Sequence, residues 1–111
     1  MSRINPSVLA ELRQFAGDEF VDNLIDVFLV DGPERIADME AALEALDLDA
    51  FRRNAHSLKS NADTFGADDL AASARELEAM ARAGTLPSGD DFAALREAYR
   101  QASAALEGMR E

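Results

Sequence analysis

Residues 48–66 read LDAFRRNAHSLKSNADTFG, from Leu48 to Gly66. Leu48, Phe51, Ala55, Leu58, Ala62 and Phe65 follow one another at alternating gaps of three and four residues, so on an α-helix they form one narrow stripe. His56, the only histidine of the chain, stands beside that stripe and not in it. At 100° per residue it points about 130° away from the stripe's direction. Lys59 and Asp63 flank it further along the helix, and Ser60 lies one turn above it. An outward imidazole with an ammonium group one turn away and a small side chain alongside is the feature that any function has to explain.

Length and composition bound the rest. With 111 residues the chain can build one core but hardly two, so residues 1–111 are expected to form a single domain. Apolar residues at 48% and charged residues at 30% fit a soluble folded protein and argue against disorder. The absence of cysteine excludes a disulfide framework and thiolate chemistry. No apolar run reaches the roughly 18–20 residues that span a bilayer. Met1-Ser2-Arg3-Ile4-Asn5-Pro6 lacks the apolar centre of a signal peptide, which predicts a cytoplasmic location. Met1 and the compact ends point to a free-standing chain. The net charge of −11 opposes binding to nucleic acid or to an anionic membrane.

Abundant Ala, Leu, Glu and Arg with few β-branched residues predict an all-α protein. Asn5-Pro6-Ser7 opens a short helix with Val8, Leu9, Leu12 and Phe15 on its apolar side. Gly17-Asp18 ends it, and Asp18 is expected to cap the next helix. There Phe20, Leu24, Val27 and Phe28, then Ile36, Met39, Leu43 and Leu46, keep helical spacing. Gly32-Pro33 between the two runs should kink one long helix, or else divide it in two. Asp47-Leu48-Asp49 turns into the His56 helix, and Gly66 closes that helix as a left-handed cap. Ala67-Asp68-Asp69 caps a helix whose core line is Leu70, Ala74, Leu77 and Ala81, with Met80 at its margin. Gly84-Thr85-Leu86-Pro87-Ser88-Gly89 reads as a loop. Phe92, Leu95, Tyr99, Ala102, Leu106 and Met109 line the last helix. Joined by short loops, these helices bury their stripes most simply as an antiparallel four-helix bundle, with the additional short N-terminal helix over one end.

Four uses of His56 compete. A zinc site needs three or four converging ligands, and no other His or Cys exists to supply them. A hydrolase base needs a nucleophile and an oxyanion site in a pocket, whereas this ring stands on a convex helix face. An exposed histidine with no task is the commonplace alternative. The fourth use is a covalent phosphoryl carrier: neutral imidazole is nucleophilic near neutral pH. Attack on a partner's acyl phosphate requires a protruding ring. Lys59 can meet the phosphate's charge, and Ser60 leaves room for the partner's loops.

The run Ala55-His56-Ser57-Leu58-Lys59-Ser60-Asn61-Ala62, followed by Thr64-Phe65-Gly66-Ala67 and Leu70, closely resembles the signature of histidine phosphotransfer (HPt) domains, A-H-x-L-K-G-x-x-x-x-x-G-x-x-x-L. Arg75-Glu76-Leu77-Glu78 resembles the acidic-ended helix that follows, and Asp26-Val27-Phe28-Leu29, Pro33-Glu34, Ile36 and Met39 resemble the family's preceding helix. The likeness runs roughly from Phe20 to Glu107. It implies a four-helix bundle in which His56 is phosphorylated and Lys59 assists the phosphate. It departs at Ser60, where the family usually has glycine, and serine should firm the helix while remaining small.

The resemblance implies a phosphorelay intermediate that takes a phosphoryl group from the aspartate of one response-regulator receiver domain and passes it to another. A hybrid sensor kinase is one candidate source of such a receiver. No bound cofactor or metal is expected, Mg²⁺ being supplied by the receiver, and no turnover by this chain, a monomer, when alone. A helical interaction module that binds receivers or a kinase without carrying phosphate is the alternative. Arg52 and Arg53 are either a solvated basic turn or part of a receiver-facing surface. Apolar side chains on the preceding helix are candidates for a docking patch.

Overall fold

The computed structural model describes residues 4–111, so the reading of Met1–Arg3 as the start of a leaderless chain lies outside the described residues. Five helices make up the ordered elements among them: α1 (Pro6–Ala16), α2 (Asp18–Glu44), α3 (Leu48–Phe65), α4 (Asp68–Arg82) and α5 (Gly89–Met109). Helices α2 to α5 pack as the expected antiparallel four-helix bundle, each on the next and α5 back on α2, while α1 lies against α2 and α3. At 1.5 Å per residue, the 27 residues of α2 span about 40 Å. That matches the long axis of the molecule, which measures 41 × 22 × 20 Å. No described helix is long and apolar enough to cross a membrane.

The ends of α3 follow from local chemistry. Asp47 accepts a hydrogen bond from the Ala50 amide at 3.0 Å and so caps the first turn. Gly66 ends the helix in the left-handed conformation, φ 68°, as its position predicts. A Cβ there would also press on Asn5 and Val8, and the Asn5 amide donates to the Gly66 carbonyl at 2.9 Å. Glycine thus ends the helix and lets the chain's N-terminal segment close over it. Ser88 caps α5 in a reciprocal pair with Asp91.

The stripe of α3 is buried as read: Phe51, Ala55, Leu58, Ala62 and Phe65 all face the core. Opposite them come Leu70, Ala74, Leu77 and Ala81 of α4 and Phe92, Leu95, Tyr99, Ala102 and Leu106 of α5. Each fully buried Phe or Leu contributes about 1.5–3 kcal/mol from area removed from water. The buried alanines of α3 and α4 let these two helices approach closely, and their pairing is the most extensive in the molecule.

Other expectations need correction. The core line of α2 is Val21, Ile25, Phe28, Met39 and Ala42: Phe28 and Met39 are buried as expected and Leu24, Ile36 and Leu43 pack at its edge, but Phe20 is 54% exposed, and Val27 and Leu46 are exposed as well. Phe15 of α1, assigned to an apolar side, is 92% exposed. Leu9 of the same side is buried as expected, and Arg13 ties α1 down further, through Asp22 at 2.9 Å and the Met109 carbonyl at 2.8 Å, which joins α1, α2 and α5. Asp18 opens α2 without capping it: Gly17, at φ 92°, holds the cap position. No side chain caps α4; Asp68 and Asp69 sit in its first turn. Gly89 belongs to α5 and not to the loop.

Helix α2 runs unbroken through Pro33. Proline leaves the Leu29 carbonyl without its usual donor. One residue earlier, the buried Tyr99 hydroxyl donates to the Phe28 carbonyl at 2.7 Å, tying α5 to this weakened turn. Gly32 makes that approach possible, because a Cβ there would collide with the Tyr99 ring. Gly32→Ala should therefore destabilise, although alanine is the better helix former by about 1 kcal/mol. Overpacking costs about 1–3 kcal/mol; net of that gain, a loss of up to about 2 kcal/mol should lower the melting temperature by up to roughly 15 °C. Gly108→Ala is the control: nothing stands within 4 Å of a Cβ there, and its melting temperature should hold or rise.

Candidate functional site

Helices α3 and α4 form a hairpin about Gly66, and His56 and Glu78 lie at similar distances on either side of that turn. Ala55 and Leu58 are buried, so the α3 backbone is anchored by its stripe and His56 emerges beside it, 56% exposed. Glu78 sits on the opposite side of the hairpin gap with its side chain only 4% exposed. It is the one charged side chain buried in the core region among the described residues.

A buried carboxylate needs partners, and Glu78 has three. Its Oε2 lies 2.9 Å from His56 Nδ1 and accepts from Arg82 Nη2 at 2.8 Å. Its Oε1 faces Lys59 Nζ at 3.5 Å. Burial pushes the Glu78 carboxyl upward, but the His56 hydrogen bond and the Lys59 charge outweigh it and leave the group below the ordinary glutamate value. An ionised carboxylate only accepts, so Nδ1 is the protonated nitrogen of His56. Nε2 then carries the lone pair, and it is the nitrogen away from Glu78.

His56, Lys59 and Ser60 thus stand where the sequence placed them, and α3 brings the three together. Ser60 is exposed, and its carbonyl accepts from the Thr64 hydroxyl at 3.1 Å. Lys59 is 23% exposed and turned toward Glu78. Arg52 and Arg53 are both engaged by Asp49, at 2.9 and 3.4 Å. Sequence reasoning passed over Glu78 and Arg82 as site residues. A signal existed, because Glu78 lies four residues after Ala74 and seven after Ala71, on the core-facing side of α4, where a lone carboxylate demands partners.

His56 stands out from α3, 56% exposed. The better-formed hollows lie elsewhere, such as those lined by Val8, Leu12, Phe15 and Thr64 or by Val27, Val30 and Glu34. Among the described residues no three His, Cys, Asp or Glu side chains are arranged to hold a metal ion. The arrangement offers one presented nucleophilic nitrogen, a fixed tautomer and two adjacent cations. It does not enclose a small substrate.

Comparisons with known proteins agree with this geometry. Residues 23–105 match the family described as Hpt domain. The phosphorelay protein LuxU of Vibrio cholerae serotype O1 is 34% identical over 83 residues, 75% of this chain and 74% of LuxU. The crystal structure of histidine-containing phosphotransfer protein B (HptB) from Pseudomonas aeruginosa PAO1 superposes with a TM-score of 0.90 at 32% identity, covering 97% of this chain and 94% of that one.

Proposed function

The chain belongs to the Hpt domain family and is a histidine phosphotransfer intermediate of a phosphorelay, and from that premise we propose that Nε2 of His56 is the atom that carries the phosphoryl group. The observation behind this reading is the His56–Glu78 hydrogen bond, which occupies Nδ1 and leaves Nε2 free on an exposed ring. The donor and acceptor are receiver domains, each presenting an aspartyl phosphate or the aspartate to receive one.

In the forward step the Nε2 lone pair attacks phosphorus. The bond from phosphorus to the aspartyl oxygen breaks, and its electron pair leaves with the carboxylate. The Nδ1 proton stays in place, so the ring gains positive charge as the new N–P bond forms. Glu78 faces that charge directly, as a buried carboxylate behind a catalytic imidazole does elsewhere. Lys59 contributes positive charge near the incoming group, and exposed Ser60 leaves room for the partner's loops. The receiver supplies Mg²⁺ and most of the phosphoryl charge stabilisation. Transfer depends on the partner, which presents the aspartyl phosphate that Nε2 attacks.

Receivers approach over α3 and the adjoining face of α2, where exposed Val27 lies beside Asn61 and Thr64 and shares a second hollow with exposed Val30. Asn61 donates to Asp31 at 3.4 Å, which links the two helices below this apolar pair. Val30→Glu should raise the KM for the receiver about tenfold, with kcat and melting temperature nearly unchanged. The carrier role itself is tested by transfer from a phosphorylated receiver with Mg²⁺. Acid-labile, base-stable label is expected on the natural chain and not on His56→Gln. Binding without label would support the non-phosphorylated interaction module instead.

A further inference from the structure

The second cation on Glu78 has no part in the transfer just described. Arg82 stands at the end of α4, 62% exposed, and donates from Nη2 to the same Oε2 that holds His56 Nδ1. Two groups held by one carboxylate oxygen, at 2.8 and 2.9 Å, are near neighbours, so the guanidinium starts within a few ångströms of the imidazole ring. Arg82 uses one of its five N–H donors on Glu78, and its head is largely in water.

Phosphorylation changes the charge balance here. A phosphoryl group brings about two negative charges and three acceptor oxygens to His56. It does so on a chain of net charge −11 and beside a buried carboxylate. Lys59 and Arg82 are the two cations already in contact with that carboxylate. Lys59 is mostly covered and held toward the Glu78 side at 3.5 Å. Arg82 is the longer, more exposed group, and its planar fork suits phosphate oxygens.

We propose that Arg82 is a phosphate-binding residue of the phosphorylated state: parked on Glu78 when His56 is free, its guanidinium reaches to the phosphoryl oxygens once Nε2 is phosphorylated. The inference rests on the assignment of His56 as carrier. Glu78 keeps its bond to the Nδ1–H throughout, so no proton moves. Only the donors of Arg82 are redistributed from carboxylate to phosphate. Because this contact exists in one state and not in the other, Arg82 sets how phosphate is shared between this chain and a receiver.

The test measures the equilibrium of phosphate between the chain and a receiver domain that exchanges with it. Arg82→Gln should move that equilibrium about tenfold toward the receiver, and Arg82→Lys should recover part of the loss. Melting temperature should change by no more than a few degrees, since the side chain is largely exposed. In the natural chain labelled with phosphoramidate, a small donor that needs no receiver, the Arg82 Nε–H resonance should shift on phosphorylation. A purely structural ion pair to Glu78 would leave both the equilibrium and that resonance in place, and such a result overturns the proposal. Failure of the natural chain to accept phosphate from either donor would overturn the His56 assignment together with it, whereas equal labelling and equal partition in Arg82→Gln would overturn the Arg82 role alone.

Discussion

His56→Gln should abolish phosphoryl transfer completely while leaving the bundle standing. The chain has no second histidine and no cysteine, so no other imidazole or thiol is available to take over. The structural cost is small for reasons visible around the ring. His56 is more than half exposed, lies outside the buried stripe of α3, and makes its one side-chain hydrogen bond to Glu78. Losing that bond costs about 0.5–1.5 kcal/mol, and Glu78 keeps Lys59 and Arg82. For a domain of this size that is a fall of roughly 3–10 °C in melting temperature. Circular dichroism and a thermal melt beside the transfer assay separate the two effects. Loss of helicity would contradict the outward placement of the ring. Residual acid-labile label would mean that another group carries phosphate.

How far the sequence could lead is clearest from comparing α3 with α2. In α3 the apolar residues occupy one side only, and Asp47 and Gly66 mark both ends, so stripe, caps and the outward direction of His56 follow from spacing alone. In α2 apolar residues occur on several sides: Phe20, Val21, Leu24, Ile25, Val27 and Phe28 offer more than one line at helical spacing. The expected line runs through Phe20 and Leu24. The packing of α3 and α5 selects Val21 and Ile25 instead, which are fully buried. The notch at Gly32 that admits Tyr99 is likewise a property of two helices together. So is Glu78, since its polarity excludes it from any apolar count and its partners come partly from α3.

Glu78→Gln should lower transfer through His56 by about a hundredfold, more than its modest change in shape suggests. The wild-type carboxylate can only accept, so it holds the proton on Nδ1 and faces the positive charge that grows on the ring during attack. An amide removes that charge and brings a donor of its own. Lys59 faces one oxygen of Glu78 while Arg82 and His56 share the other, so the amide oxygen can serve only one side, and when it turns to Lys59 its NH₂ faces His56. Nδ1 then becomes an acceptor and the proton moves to Nε2, where it blocks the lone pair that must attack. Nitrogen NMR of the imidazole should show the Nδ1–H tautomer in the natural chain and a large Nε2–H fraction in Glu78→Gln, in step with the loss of kcat. The stability cost has its own signature. The Glu78 pKa is depressed in the folded chain, so its contribution is fully present above the unfolded value, near 4.5, and is lost as pH falls through the folded value. The melting difference between the two proteins should accordingly be largest near neutrality and should narrow below about pH 4.5. A variant that kept the Nδ1–H tautomer and still lost transfer would assign the whole effect to charge opposite the ring. One that transferred normally would reduce Glu78 to a buried strut between α3 and α4.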